Sequence, residues 1–306
     1  MPTAKSSPSR QPEKRPPMLT IICGETAVGK THRNRSEVYY YLRNNLTTGK
    51  QGRKVLAFDT NDDDYTGFKT VSPKHLNRLK ATQARRIRPF NPDGSPMGRE
   101  DKRKVVNQIL KYFKDGLILL DDIDDYMTGE RGQDMIAALC TLRHKGVDII
   151  FTHQSLSKIT RTAFENCTWL RLHHQVDDVN RIKDRIPKYP IVRIAQLIVD
   201  DQYELAYERY QAGTIDSTTF RNRNSYFVYV NLRKQRIRGC SRATYIRACK
   251  KFIDQEENRV LKMMMNERDL NNQPIYKNRT EALVKRIEYY LRFHEKVVSN
   301  PYASAA

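Results

Sequence analysis

The stretch Ile21-Ile22-Cys23-Gly24-Glu25-Thr26-Ala27-Val28-Gly29-Lys30-Thr31 decides the fold, because apolar residues run straight into a Gly followed four residues later by Gly-Lys-Thr. That spacing is a phosphate-binding loop. Gly24 and Gly29 permit positive φ and close backbone approach, so that the N–H groups of Gly24, Glu25, Thr26, Ala27, Val28 and Gly29 turn toward phosphate oxygens. Lys30 is expected to neutralise the β- and γ-phosphates of ATP, and the Thr31 hydroxyl to ligate Mg²⁺. Residues 18–23 read as a buried strand, and residues 31–46 as a helix with Val38, Tyr41, Leu42 and Leu46 on one stripe. A helix starting at the loop adds its dipole to anion binding.

Further along, Gly116-Leu117-Ile118-Leu119-Leu120-Asp121-Asp122 is an apolar run ending in paired carboxylates, the Walker B pattern. A buried parallel strand would deliver Asp121 to its C-terminal end as a Mg²⁺ ligand, with Asp122 placed to polarise the attacking water. Asp124 and Asp125 follow closely, so the base could be displaced by a few residues. Residues 134–143 read as a helix, and Val147-Asp148-Ile149-Ile150-Phe151-Thr152-His153-Gln154 as a strand with polar residues at its end. Catalytic groups gather at the C-terminal ends of parallel strands, and the Gln154 amide suits contact with both a γ-phosphate oxygen and the water.

The bulk composition bounds the partners. Fifty-five Lys and Arg against 35 Asp and Glu give the 306-residue chain a formal net charge of +20. Such an excess points to a polyanion, with nucleic acid ahead of an anionic membrane surface. The five cysteines are scattered and never form a Cys-x-x-Cys pair, which argues against a disulfide framework and a zinc site and for reduced thiols. No apolar run is long enough to span a bilayer and the first residues are too polar for a signal peptide, so a soluble, cytoplasmic protein is expected.

Residues 1–17, with five prolines among Ser, Lys and Arg, read as a disordered basic arm. After a second strand at 54–58, the acidic stretch Asp59-Thr60-Asn61-Asp62-Asp63-Asp64 reads as a strand-end loop near the nucleotide, since the spacing of a calcium loop is missing. Arg85-Arg86-Ile87-Arg88-Pro89-Phe90 suits either a nucleic-acid backbone contact or a strand edge guarded by arginine. Residues 100–113 form a helical pattern, 167–174 a fifth strand, 195–212 a helix, and 225–239 a strand or hairpin with a strongly basic end. His173 and His174 point to opposite faces of their strand and do not easily share one ion. From 241 on the pattern is helical and basic, at 243–269 and 280–298, with a breaker at Asn271-Asn272-Gln273-Pro274. The chain thus divides into the arm at 1–17, an ATPase domain at 18–240 and a basic helical extension at 241–306, the last serving as a cap on the core or as a DNA- or subunit-contacting tail.

With these elements in order, residues 18–175 resemble the FtsK/HerA branch of P-loop ATPases, the DNA pumps that include viral genome-packaging ATPases. The resemblance rests on Gly24 to Thr31, the strand ending at Asp59, the Leu117–Asp122 run, and the helix end, turn and strand from Leu142 to Gln154. It implies an α/β fold with a mostly parallel sheet, the Gln-bearing strand lying between the phosphate-loop and Walker B strands. It also implies a homo-oligomeric ring, most often hexameric, around DNA, an arginine finger from a neighbouring subunit with Arg143 the first candidate and Arg171 the second, and, for a virus, a capsid or portal partner. One departure is Asp122, where the family usually has Glu. The leading expectation is a Mg²⁺-dependent ATPase that drives DNA translocation, as in packaging. A second is a nucleotide-regulated assembly protein similar to the filamentous-phage assembly ATPases, which usually carry a membrane helix. A third is a kinase, disfavoured by the positive charge and the lack of an evident acceptor pocket. Whether DNA accelerates ATP turnover separates the first two.

Overall fold

The computed structural model describes residues 16–44, 51–62, 64–79 and 83–295. All but the end of the basic arm, most of the loop after the first helix, Asp63 and the last residues of the final helical pattern lie outside them.

The apolar run before the phosphate loop forms β1 (Leu19–Cys23), and the residues after the loop form α1 (Lys30–Leu42). The chain continues through β2 (Lys54–Phe58), β3 (Lys69–Thr70), β4 (Ala84–Ile87) and α2 (Arg99–Tyr112). It then runs through β5 (Gly116–Leu120), α3 (Gly129–Thr141), β6 (Val147–His153), α4 (Arg161–Asn166) and β7 (Trp169–His173). These strands make one sheet that ends, after α5 (Tyr189–Gln211) and α6 (Ser217–Asn224), with β8 (Phe227–Asn231) and β9 (Arg236–Arg238).

The strand order is β3-β4-β2-β5-β6-β1-β7-β8-β9, parallel from β3 to β7 and antiparallel at β8 and β9. Every residue of β5 and β6 is buried. Helices cover both faces, which is why these strands read as continuous apolar runs rather than alternating ones. Ile22, Val55, Ala57, Leu117, Leu119 and Ile150 pack with Val38 and Tyr41 of α1 on one face. Leu19, Ile21, Cys23, Ile118, Leu120 and Phe151 point to the other, larger core. Each Val, Leu, Ile or Phe among them contributes on the order of 1.5–3 kcal/mol by leaving water.

Several elements differ from the sequence reading, each for a local reason. α5 begins earlier than residue 195, because Lys188 adopts a left-handed conformation and Pro190 sits in the first turn. α6 falls in a polar stretch with no apolar stripe, and is started by Asp216, whose carboxylate accepts the Thr219 N–H at 2.6 Å. The single helix expected at 243–269 is two, α7 (Arg242–Glu256) and α8 (Asn258–Met265), broken at Glu257. Glu257 accepts two hydrogen bonds of 2.6 Å from Arg286 and one of 2.7 Å from the Tyr290 hydroxyl, both on α9 (Arg279–Leu291). Burying that carboxylate requires its partners, so the break turns α8 onto α9.

The C-terminal helices rest on the sheet domain. α7 packs against α5 and α9, and Tyr245, Phe252, Ile253 and Tyr290 share a continuous core with β1 and β6. The chain after α9 runs beside β9: Ile237 N–H donates to Phe293 O and Glu295 N–H to Ile237 O, both at 2.8 Å. Among the described residues no helix is long and apolar enough to cross a membrane.

Candidate functional site

Three adjacent strands end together. β6 lies between β5 and β1, with Leu120 opposite Phe151 and Cys23 opposite His153. The C-terminal ends of these strands therefore bring the loop after Cys23, the pair Asp121 and Asp122, and Gln154 to one edge of the sheet. The chain has the fold of a P-loop NTPase.

The two glycines do different work from one another. A Cβ on Gly24 would lie 2.6 Å from the His173 Cβ, so this position needs close approach rather than a left-handed backbone. The positive φ falls instead on Ala27, at 67°, and Gly29, at 80°. The N–H of Gly24 donates to His153 O at 3.2 Å and that of Glu25 to His174 O at 3.0 Å. Both amides thus anchor the loop to the strand ends, and contacts to a phosphate would fall to the amides of the turn beyond them and to the first turn of α1. The Glu25 carboxylate is 2.8 Å from His174 Nδ1, and the His174 ring stacks on Tyr203 of α5 at 3.7 Å. A brace of side chains therefore runs from the loop to α5.

Lys30 is folded back, its ammonium donating to Gly24 O at 2.6 Å and Glu25 O at 2.7 Å. Those carbonyls hold the lysine where phosphate oxygens would draw it away. Burial lowers its pKa, and the charges of Asp122 and Asp121 oppose that shift. Thr31 follows on the first turn of α1.

Asp121 is buried, and its Oδ1 accepts a hydrogen bond from the Thr152 hydroxyl. Thr152 in turn accepts the Asp122 N–H at 2.8 Å, so one hydroxyl of β6 holds both Asp121 and Asp122. Burial pushes the Asp121 carboxyl up to about 7. Its second oxygen, Oδ2, is buried without a partner, as fits a carboxylate shaped for a cation. Asp122 takes a left-handed conformation, φ 40°, and its Oδ2 receives the Asn61 amide at 3.2 Å. The acidic loop after β2 therefore does reach the site. It is held by Arg86, which pairs with buried Asp59 at 2.8 Å and with Asp62, while Arg88 also pairs with Asp62. Arg86 and Arg88 are thus bound to the protein's own carboxylates, and β4 is an inner strand covered by β3.

Gln154 stands just beyond β6 with its side chain exposed. Its N–H donates to Asp124 Oδ2 at 3.1 Å, and the other oxygen of Asp124 lies 2.7 Å from His153 Nδ1. Burial raises the Asp124 carboxyl, but the hydrogen bonds from His153 and Gln154 outweigh it and the net shift is downward. Sequence reasoning left Thr152 and the His153–Asp124 pair without a role. The alternation of β6 held the signal: Thr152 points to α1 and Asp121, and His153 points to the opposite face.

The two arginine-finger candidates part company. Arg171 is fully buried on β7, with hydrogen bonds of 2.8 Å to Glu37 Oε1, 2.6 Å to Asn34 Oδ1 and 3.1 Å to Lys30 O. A guanidinium closed in behind α1 of its own subunit cannot reach a neighbour's nucleotide, so the expectation for Arg171 is corrected. Arg143 lies on the turn (Leu142–Lys145) before β6, at the sheet edge away from the chain's own phosphate loop, and its side chain is outside the described residues.

A family model described as zonular occludens toxin (Zot) matches residues 74–197. No curated protein matches the chain. Among solved structures, the genome packaging NTPase B204 from Sulfolobus turreted icosahedral virus 2 in complex with AMP aligns at 13% identity and TM-score 0.45, covering 73% of this chain and 96% of that one. The AMPPCP complex of the same protein aligns at 14% and 0.45, covering 73% and 97%. The N-terminal domain of zonular occludens toxin from Neisseria meningitidis aligns at 14% and 0.33, covering 55% and 90%. The chain is similar to these proteins.

Proposed function

We propose that the chain is a Mg²⁺-dependent ATPase that drives movement of DNA, most concretely the packaging of a viral genome. The observation that carries this is the convergence of the phosphate loop, Asp121 with Asp122, and Gln154 on three adjacent strand ends. Lys30 would leave the Gly24 and Glu25 carbonyls for the β- and γ-phosphates, and Asp122 and Gln154 would orient a water in line with the bond to be broken. As the water oxygen bonds to the γ-phosphorus, the bond to the bridging oxygen breaks and Asp122 accepts the water proton. Asp121, with its unpartnered oxygen, and Thr31 would hold Mg²⁺, whose chemistry is to neutralise charge on the phosphate oxygens. Asp122 is one methylene shorter than the usual Glu, and Asn61 fixes the oxygen that would do the work.

Support for DNA comes from the net charge of +20 and from exposed cations at Arg221, Arg223, Arg233 and Lys234. A hexameric ring, an Arg143 finger acting across its interfaces, and a capsid or portal partner belong to the same proposal. The test is steady-state ATP turnover with and without single- and double-stranded DNA, with Lys30→Ala as the blank. Several-fold stimulation that vanishes in the variant is expected, and mixing Lys30→Ala with Arg143→Ala subunits should restore part of the turnover that each lacks. Turnover indifferent to every DNA would overturn the translocation reading in favour of a nucleotide-regulated assembly protein.

A further inference from the structure

On the face of the sheet opposite α1, below the end of β6, lies a cleft of about 470 Å³ between the start of α3 and the segment leading into α4. It is separate from the nucleotide site, since Asp121 and Thr152 face α1 whereas His153 faces this cleft. Lys158, Arg161 and Arg185 line it with the carboxylate of Asp124, and of these cations Arg185 forms no ion pair with a described residue, which leaves its charge to meet an anion. Arg161 pairs with Glu165 at 2.8 Å and Lys158 stands 3.9 Å from Asp124, while Arg185 is exposed. Ile136 and Ile159 give it an apolar floor, which a bare inorganic ion would leave unused.

A second observation points to a ligand. His153 is 1% exposed and lines the cleft, and its Nε2 is buried with no hydrogen-bond partner. With Nδ1–H given to Asp124, Nε2 is left to accept a hydrogen bond from a sugar hydroxyl, and Arg185 is placed to meet the phosphate. An orphaned buried nitrogen destabilises the fold around it, and an incoming polar group would relieve that. The volume lies within the range of small-molecule sites.

We infer that this cleft is a second binding site, for one phosphate-bearing nucleotide unit, whose occupancy reaches Gln154 through His153 and Asp124. The path has three links: ligand to Nε2, Nδ1 to Asp124 Oδ1, and Asp124 Oδ2 to the Gln154 N–H. His153 and Asp124 act as positioning residues. The unit is either a free nucleotide or part of a nucleic-acid strand, and both present the same phosphate and sugar. The effect on turnover rests on the proposed role of Gln154, whereas the binding itself does not.

The experiment titrates the full chain, its phosphate loop saturated with a non-hydrolysable ATP analogue, with thymidine 5′-monophosphate and with the single strand dT10. Arg185→Glu removes an exposed cation of the cleft, and Lys285→Glu makes the same charge change at an exposed position of α9. At least a tenfold loss of affinity in Arg185→Glu with little change in Lys285→Glu is expected. Loss for both probes identifies a free nucleotide as sufficient, and loss for dT10 alone identifies a strand. Equal weakening by the two variants, or none in Arg185→Glu, overturns the site. In the wild type the bound probe should change kcat for ATP with KM unmoved, and Asp124→Asn should bind the probe without that response. Binding with an unresponsive kcat overturns the coupling; a protein with no turnover at all overturns the ATPase reading and leaves the titration to judge the cleft.

Discussion

Asp121 shows what the site demands of one residue. Burial raises its carboxyl from the ordinary value of 3.8 to about 7, so between these two pH values the nucleotide-free folded state holds a proton that the unfolded chain has released. Stability therefore falls as pH rises through that window, by up to about 1.4 kcal/mol per unit, and stays reduced above it. Asp121→Asn removes the charge, and its Oδ1 still accepts from Thr152. In urea unfolding of the nucleotide-free protein it should be more stable than wild type at pH 8 and no more stable near pH 4, while turnover is lost. A difference that does not change with pH would mean that Asp121 ionises without penalty, and that its partnerless oxygen is hydrated rather than waiting for a cation. The place of Asp121 at a strand end was legible because an apolar run ending in Asp is a local pattern. The role of Thr152 was not, because it depends on which residue of β6 lies beside β5, a matter of register that no single stretch records.

At the scale of elements, the loop and α1 are held from beneath by Arg171. Its guanidinium joins β7 to Glu37, Asn34 and the Lys30 carbonyl, and the Tyr229 hydroxyl reaches the same Glu37 from β8. Replacing Arg171 by Met would leave Glu37 with Arg33 and Tyr229 and would take from Asn34 Oδ1 its buried charged donor, at a cost of about 1.5–3 kcal/mol. Thermal unfolding should show a large loss of stability, and ATP should bind more weakly because the first turn of α1 is loosened. A loss below about 1 kcal/mol would return Arg171 to the list of candidate fingers. This is where sequence reading and structure diverge most: an arginine in a strand looks the same in one dimension whether it closes an interface or fastens a helix. The position of the Gln-bearing strand, by contrast, followed from the resemblance and is found between β5 and β1. The breaks at Glu257 and the start of α6 were hidden because both depend on single polar contacts rather than on apolar periodicity.

For the whole molecule the question is where its charge can act. The formal excess of +20 counts cations already joined to internal carboxylates, among them Arg86 with Asp59, Arg103 with Glu100, Arg193 with Glu256 and Arg286 with Glu257. Such pairs add nothing to a surface that meets a polyanion, so the charge that can displace counterions from DNA is concentrated elsewhere. Arg233 and Lys234, at the exposed turn between β8 and β9, form no ion pair with another described residue. Each phosphate neutralised contributes about −0.9 to the slope of log affinity against log salt on duplex DNA. The double variant Arg233→Gln/Lys234→Gln should therefore bind duplex DNA more weakly and flatten that slope by roughly 2. Arg86→Gln should leave the slope unchanged while destabilising the acidic loop that carries Asn61 to Asp122. Equal slopes in the double variant and the wild type would remove the hairpin from the DNA path. The same shift in Arg86→Gln would show that overall charge, rather than a placed surface, governs binding.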